Sequence, residues 1–275
     1  MSTTSATLVK DSAYLETTGR NMFAVATLGW AALHIVYGDF LLGRAPAWPE
    51  SLPGRLVWAY GSAAVLVATG ITVLLGKGGR KGLILLGVMV FAWALVRQAI
   101  SLVAEPELGG RLTMAGKALT FFGGAFAVAA TLPQAQGRPS PFLDFINQTD
   151  RFKILGRFCL GSFMILCGIQ HFLFWQFVQT LVPTWIPGPL FWTYFAGVAL
   201  IAGGLGLMIP ATASLAGRLT GIMVFIWFVI LHIPRGFGMN NANEWTAVVE
   251  SFAVSGLALV LSTGKGGRGG GGIGK

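Results

Sequence analysis

The chain alternates long apolar stretches with short breaks that are polar or carry glycine and proline. Eight such stretches run from Met22 to Leu42, Leu56 to Gly76, Gly82 to Val103 and Thr113 to Leu132, then from Leu155 to Leu181, Leu190 to Ile209, Leu219 to Pro234 and Trp245 to Ser262. A helix of about 20 apolar residues matches the ~30 Å hydrocarbon thickness of a bilayer. Lipid offers no partner to backbone N–H and C=O groups, so each stretch has to satisfy its own as a helix. The pattern predicts an all-α polytopic membrane protein with eight transmembrane helices. The first stretch lacks the form of a cleaved signal peptide: its polar lead-in is about 20 residues, its apolar run is too long, and no small-x-small site follows.

Composition supports this reading, and charge adds sidedness. The chain is 54% hydrophobic and 11% charged, with a mean hydropathy of +0.70. Soluble domains carry about 25% charge. The net charge of +9 is not a nucleic-acid footprint, because the basic residues sort by membrane side. With the N-terminus inside, thirteen of them lie on the cytoplasmic face: Lys10, Arg20, Lys77, Arg80, Lys81, Arg138, Arg151, Lys153, Arg157, Arg218, Lys265, Arg268 and Lys275. Four lie opposite: Arg44, Arg55, Arg111 and Arg235. The positive-inside rule then puts both termini in the cytoplasm. The expected setting is a bacterial cytoplasmic (inner) membrane, with the bilayer and membrane or peripheral protein subunits as partners and no nucleic acid. The two cysteines, Cys159 and Cys167, are about 12 Å apart along one predicted helix, too far for a disulfide.

The chain also repeats itself. Arg20, His34, Phe40 and Trp48 recur as Arg157, His171, Phe177 and Trp185. After a three-residue shift in the next loop, Gly54, Trp58, Tyr60 and Gly70 recur as Gly188, Trp192, Tyr194 and Gly204. Further on, "GVMVFAW" (87–93) recurs as "GIMVFIW" (221–227). Each half holds four spans, an even number, so both enter the membrane in the same direction, as parallel repeats do. The expected architecture is two tandem four-helix bundles in parallel orientation. Residues 1–21 form a cytoplasmic segment, 22–132 the first repeat, 133–154 a cytoplasmic linker, 155–263 the second repeat and 264–275 a flexible Gly-rich basic tail. Within the linker, "PFLDFINQ" mixes apolar and polar residues and suits the membrane interface.

In the second half, "GIQHF", "LVPTWIPGPLFWTYFAGVALIAGGLGL" and "LHIPRGF" resemble the DoxX-like family of small membrane proteins, whose members look like one four-helix bundle. The first half resembles a diverged copy: it keeps His34 and Trp48 but lacks "VPTWIPGP" and "LHIP". The resemblance implies a tandem DoxX-type fold and, through DoxD-type relatives, a link to quinone-coupled membrane complexes. It brings no catalytic residue set. The prolines of "VPTWIPGP" fix φ and remove donors, as a short turn between spans requires, and Trp185 and Trp192 suit the interfacial aromatic belt.

Ionisable groups inside spans are costly and mark functional candidates. In the second half, His171, His232 and Glu250 fall in the outer half of the bilayer and would line one pocket if their spans face one another, with Gln170 and Arg235 beside them. The first half keeps His34 but places Gln98 and Gly116 opposite His232 and Glu250, and adds Asp39, Arg97 and Lys117. Each has a structural alternative: a histidine bonded to a backbone carbonyl, Glu250 paired with His232 or Arg235, and Arg97 and Lys117 paired with Asp39 or reaching to headgroups. A bis-histidine haem is disfavoured, because His171 and His232 lie at different depths, and no H-x-x-x-H or E-x-x-H spacing marks a metal site. A quinone is compatible, since imidazole and carboxylate supply donors and a proton route near neutral pH.

Three functions follow as expectations. The first is a membrane subunit of a redox-linked complex that holds a quinone or lipid-like molecule near the outer leaflet; if enzymatic, it is a quinone-linked oxidoreductase subunit whose electrons come from a partner. The second is a non-catalytic assembly subunit. The third is a transporter or lipid-handling protein in which Arg97 and Lys117 meet an anionic group.

Overall fold

The computed structural model describes residues 3–46, 48–105 and 107–263. The Gly-rich tail, 264–275, lies outside them. Eight long helices are present among the described residues: α1 (Thr3–Tyr37), α2 (Arg55–Leu74), α3 (Gly79–Ala104), α4 (Gly110–Ala129), α5 (Thr149–Leu173), α6 (Pro189–Met208), α7 (Ala213–Met239) and α8 (Ala242–Ser262). Seven of them, α2 to α8, are long and apolar enough to cross a membrane. The protein is therefore all-helical and integral to a membrane by the length and composition of its helices.

Helix ends differ from the apolar boundaries because hydrogen bonding does not stop where hydropathy falls. α1 begins well before Met22 and at 35 residues is about 50 Å long. The fifth apolar stretch breaks at Phe174, after which Trp175–Val178 forms a separate turn. Pro234 does not end α7, which continues to Met239. Just before that proline the helix widens into a π-turn, Phe228–His232. α3 carries a π-turn at the matching place, Ala94–Ala99, where Ile100 stands in for Pro234. Proline alone therefore does not cause the bulge, and π-turns of this kind gather at functional positions.

Each helix packs against its neighbours in the sequence, and α1 packs against α8, so the eight form a closed ring. The most extensive seams are α5 with α6, α1 with α8, and α4 with α5. Two of these three join the halves, whereas α1 and α4 of the first half share little contact. The halves therefore interlock around one common interior, instead of standing as two self-contained bundles. α8 is the most enclosed element, with Ala253, Leu257, Ala258, Val260 and Leu261 all inaccessible.

Repeat-related details recur at matching positions. Gly54 and Gly188 both precede a helix with positive φ, +88° and +71°, a conformation that costs a residue with a Cβ. Gly19 faces Gly256 across the α1–α8 seam, and Gly156 faces Gly123 and Ala127 across α4–α5. At one end of the ring, Arg20 reaches Thr131 O at 3.5 Å and Arg157 donates to Leu261 O at 3.1 Å. The same end is clamped by Lys153, which contacts Glu16 at 2.9 Å and Thr263 O at 2.8 Å and so ties α5 to α1 and α8. Arg80 is buried there and donates to Ile146 O (2.6 Å) and Leu132 O (2.9 Å). Ile146 closes a short linker helix, Pro141–Ile146, capped by Ser140 and exposing Phe142 and Phe145. That is the amphipathic form expected of "PFLDFINQ".

The halves differ most in the segment after their first helix. Following α1, a 3-10 turn at Leu42–Arg44 folds inward onto α4 and α8, burying Leu42 and Gly43. Following α5, the corresponding segment packs only near α6, and Phe177 and Trp185 are exposed.

Candidate functional site: a charged centre between the halves

Glu250 is a buried carboxylate that draws two cations of the first half toward α8. It lies about 12 Å along α8 from its N-terminus and is 4% exposed. Lys117 of α4 donates to Glu250 Oε2 at 2.6 Å. Arg44, on the inward-folded turn, has Nε 3.5 Å from the same oxygen. Arg44 takes up a positive φ of 52°, strain that a non-glycine residue bears only when its surroundings hold it. Two cations thus share one buried carboxylate, while Glu250 Oε1 has no hydrogen-bond partner among the described residues. Removing such charges from water costs several kcal/mol each, which only close pairing offsets.

Arg235 and Glu244 form a separate, two-pronged pair where α7 ends and α8 begins, at 3.0 and 2.8 Å. Asn241 caps α8 there by accepting from Glu244 N. Arg235 is therefore taken up by Glu244, and Glu250 by Lys117, unlike the pairing of Glu250 with His232 or Arg235 considered from sequence. His232 sits on the π-turn of α7 with Nδ1 unpartnered among the described residues.

His171 does not join this group. Its Nδ1 lies 2.7 Å from Cys167 O on its own helix, and its Cβ packs at Gly197 of α6. Gln170 latches α5 to the start of α4, accepting from Thr113 Oγ1 at 2.9 Å and donating to Leu108 O at 2.6 Å. No hydrogen bond or ion pair links His171, His232 and Glu250 to one another among the described residues. They do not form the single constellation that their depths suggested.

The first-half residues divide in two. Lys117 goes to Glu250, whereas Arg97, on the π-turn of α3, has Nη1 3.7 Å from Asp39 Oδ1 and lies 5.5 Å over the Trp48 ring. His34 is fully buried with Nδ1 2.7 Å from Trp30 O, the same i–4 contact that His171 makes. Gln98 is buried beside Arg97. Among the described residues, no three His, Cys, Asp or Glu side chains gather closely enough to hold a metal ion.

Sequence reasoning placed Arg44 in an outer loop and gave it no part. The available signal was "DFLLGRAP", where apolar residues continue past the helix end and carry the arginine inward. Trp48 and Trp93, which wall the Arg97 side, gave no signal of that role, because the inward fold of this segment depends on packing against α4 and α8.

Residues 160–255, from α5 into α8, match the model of a family described as a domain of unknown function (DUF8561). No curated protein matches the chain. No solved structure matches it.

Proposed function

We propose that the chain is an eight-span membrane protein of DoxX-like type, made of two parallel four-helix repeats with both termini in the cytoplasm of a bacterium. It would serve as the membrane subunit of a redox-linked complex that holds a quinone or similar lipid-like molecule within its outer half, electrons being supplied by a partner protein. The observation that carries this reading is the buried Lys117–Glu250 pair shared between the halves, with one carboxylate oxygen free. It supplies an ionisable couple inside an apolar wall, the kind of intramembrane charge that marks a functional site. His232 and Arg44, on elements beside it, extend the polar path outward.

An eighth span is favoured because α1 packs along α2 and α8 over its apolar C-terminal part. This predicts that Glu50→Cys, in a background lacking Cys159 and Cys167, reacts with an impermeant maleimide on intact cells. Asp11→Cys, on the other side of the apolar part of α1, should react only after lysis. Labelling of both residues from one side would remove the proposed topology.

Native mass spectrometry of the protein released from its own membrane tests the function. A retained quinone mass is the expected result. Partner subunits with no small ligand would instead favour an assembly subunit, a reading supported by the way Lys117–Glu250 and Lys153–Glu16 both fasten one half to the other.

A further inference from the structure

The Arg97 side of the interior is a second polar site with a different character. Arg97 and Gln98 are consecutive on the α3 π-turn and both buried, at 8% and 3% exposure. Arg97 Nη1 and Nη2, Gln98 Oε1 and His34 Nε2 have no hydrogen-bond partner among the described residues. His34 lies within electrostatic reach of both Asp39 and Arg97. Four unpartnered polar atoms buried near one another are rare in folded proteins, where nearly all such groups are satisfied.

Repetition sharpens the point. The second half retains most of the same residue types, but there Phe177 is 65% exposed where Phe40 is 2% exposed, and Leu231 and Gln176 replace Arg97 and Asp39. Only the first half closes an aromatic wall over a charge. Phe40 stands edge-on to His34 at 4.8 Å and tilted against Trp93 at 5.1 Å, and Trp48 meets Trp93 at 5.9 Å.

The chemistry of these atoms selects a ligand. Asp39 already offsets the charge of Arg97, so a full anion is opposed, whereas a neutral carbonyl oxygen can accept from the free guanidinium N–H groups. His34 Nδ1 faces a carbonyl and must carry the proton, which leaves Nε2 as a lone-pair acceptor. Gln98 Oε1 is likewise an acceptor. A ligand that satisfies the site must therefore bring O–H groups as well as an oxygen that accepts.

Building on the quinone reading above, we propose that this first-half site binds the head group and prefers its reduced, hydroxyl-bearing form. A hydroquinone oxygen accepts from Arg97, and a hydroquinone O–H donates to His34 Nε2. A quinone offers acceptors only and leaves His34 and Gln98 unsatisfied. One buried acceptor left unmade corresponds to roughly a tenfold difference in affinity.

The test is anaerobic titration calorimetry of the purified full chain with a short-tailed benzohydroquinone and with its benzoquinone. Wild type is expected to bind the hydroquinone roughly tenfold more tightly. His34→Phe should reduce that preference by weakening the hydroquinone alone, and Arg97→Gln should weaken both forms. Gln98→Leu, which leaves the Arg97–Asp39 pair intact, serves as a second probe of the acceptor set and should also narrow the ratio. Equal binding of both forms, or a ratio unmoved by His34→Phe and Gln98→Leu, overturns the proposal. Binding lost in Lys117→Met but kept in Arg97→Gln overturns it while leaving the quinone reading standing. A wild type that binds neither form removes both.

Discussion

Replacing Glu250 by leucine is expected to lower the thermal midpoint in detergent more than any other single charge removal in the interior. Glu250 is the only carboxylate close to both Lys117 and Arg44 among the described residues. Its loss leaves two largely buried cations facing each other with no carboxylate between them. Breaking a buried pair by deleting one partner costs about 3–5 kcal/mol. Lys117→Met should cost less, since Arg44 remains beside Glu250 and can close on Oε2. The double variant Lys117→Met/Glu250→Leu should recover part of the loss, because it removes the repulsion between the two cations and leaves only Arg44, the more exposed of them, without its carboxylate. A double variant as unstable as Glu250→Leu alone would show that the pair does not act as a unit. The same series separates structure from function. A stable double variant that has lost bound quinone assigns the pair to ligand handling, and one that retains it assigns the pair to joining the halves.

Gly256→Val is expected to open the α1–α8 seam. A Cβ at Gly256 would stand 2.6 Å from Gly19 O and 2.7 Å from the Met22 Cβ. The first obstacle is backbone and cannot escape by changing rotamer, so the helices themselves must move apart. Small residues at such crossings allow the close backbone approach that drives helix association in lipid. Overpacking a tight site usually costs about 1–3 kcal/mol, and a fixed carbonyl puts this case at the upper end. Thermal midpoint and the monodisperse fraction after extraction report the effect. Gly61→Val in α2, where an added Cβ meets nothing within 4 Å, is the control and should behave like wild type.

Much of this was legible from hydropathy. Apolar runs of span length located all eight long helices, and the recurrence of Arg20, His34 and Trp48 as Arg157, His171 and Trp185 marked out two halves, though not the π-turns that they share. Depth along a helix follows from a fixed rise per residue, so the position of Glu250 about 12 Å from the start of α8 was legible. Azimuth was not legible. Whether His171 turns toward α6 or toward α8 depends on which helices are neighbours, and the ring order is a property of packing. The same limit hid the Lys117–Glu250 pair, whose members are 133 residues apart and belong to different repeats. Arg44 was missed for another reason: a connecting segment is normally assigned to the surface, and this one folds inward.

The ring order also bears on how the chain is made. α1 leaves the ribosome well before α8, yet one of its two largest seams is with α8. While α2 to α7 insert, the Gly19 face of α1 has only lipid or a temporary protein neighbour to cover it. The α1 seam therefore closes late, when α8 docks against α1 and α4 of the first half and brings Glu250 to Lys117. A chain stopped before α8 keeps most of its helices and still lacks its centre, which gives a membrane quality-control protease a clear mark of incompleteness: an uncovered Gly19 face and an unpaired Lys117.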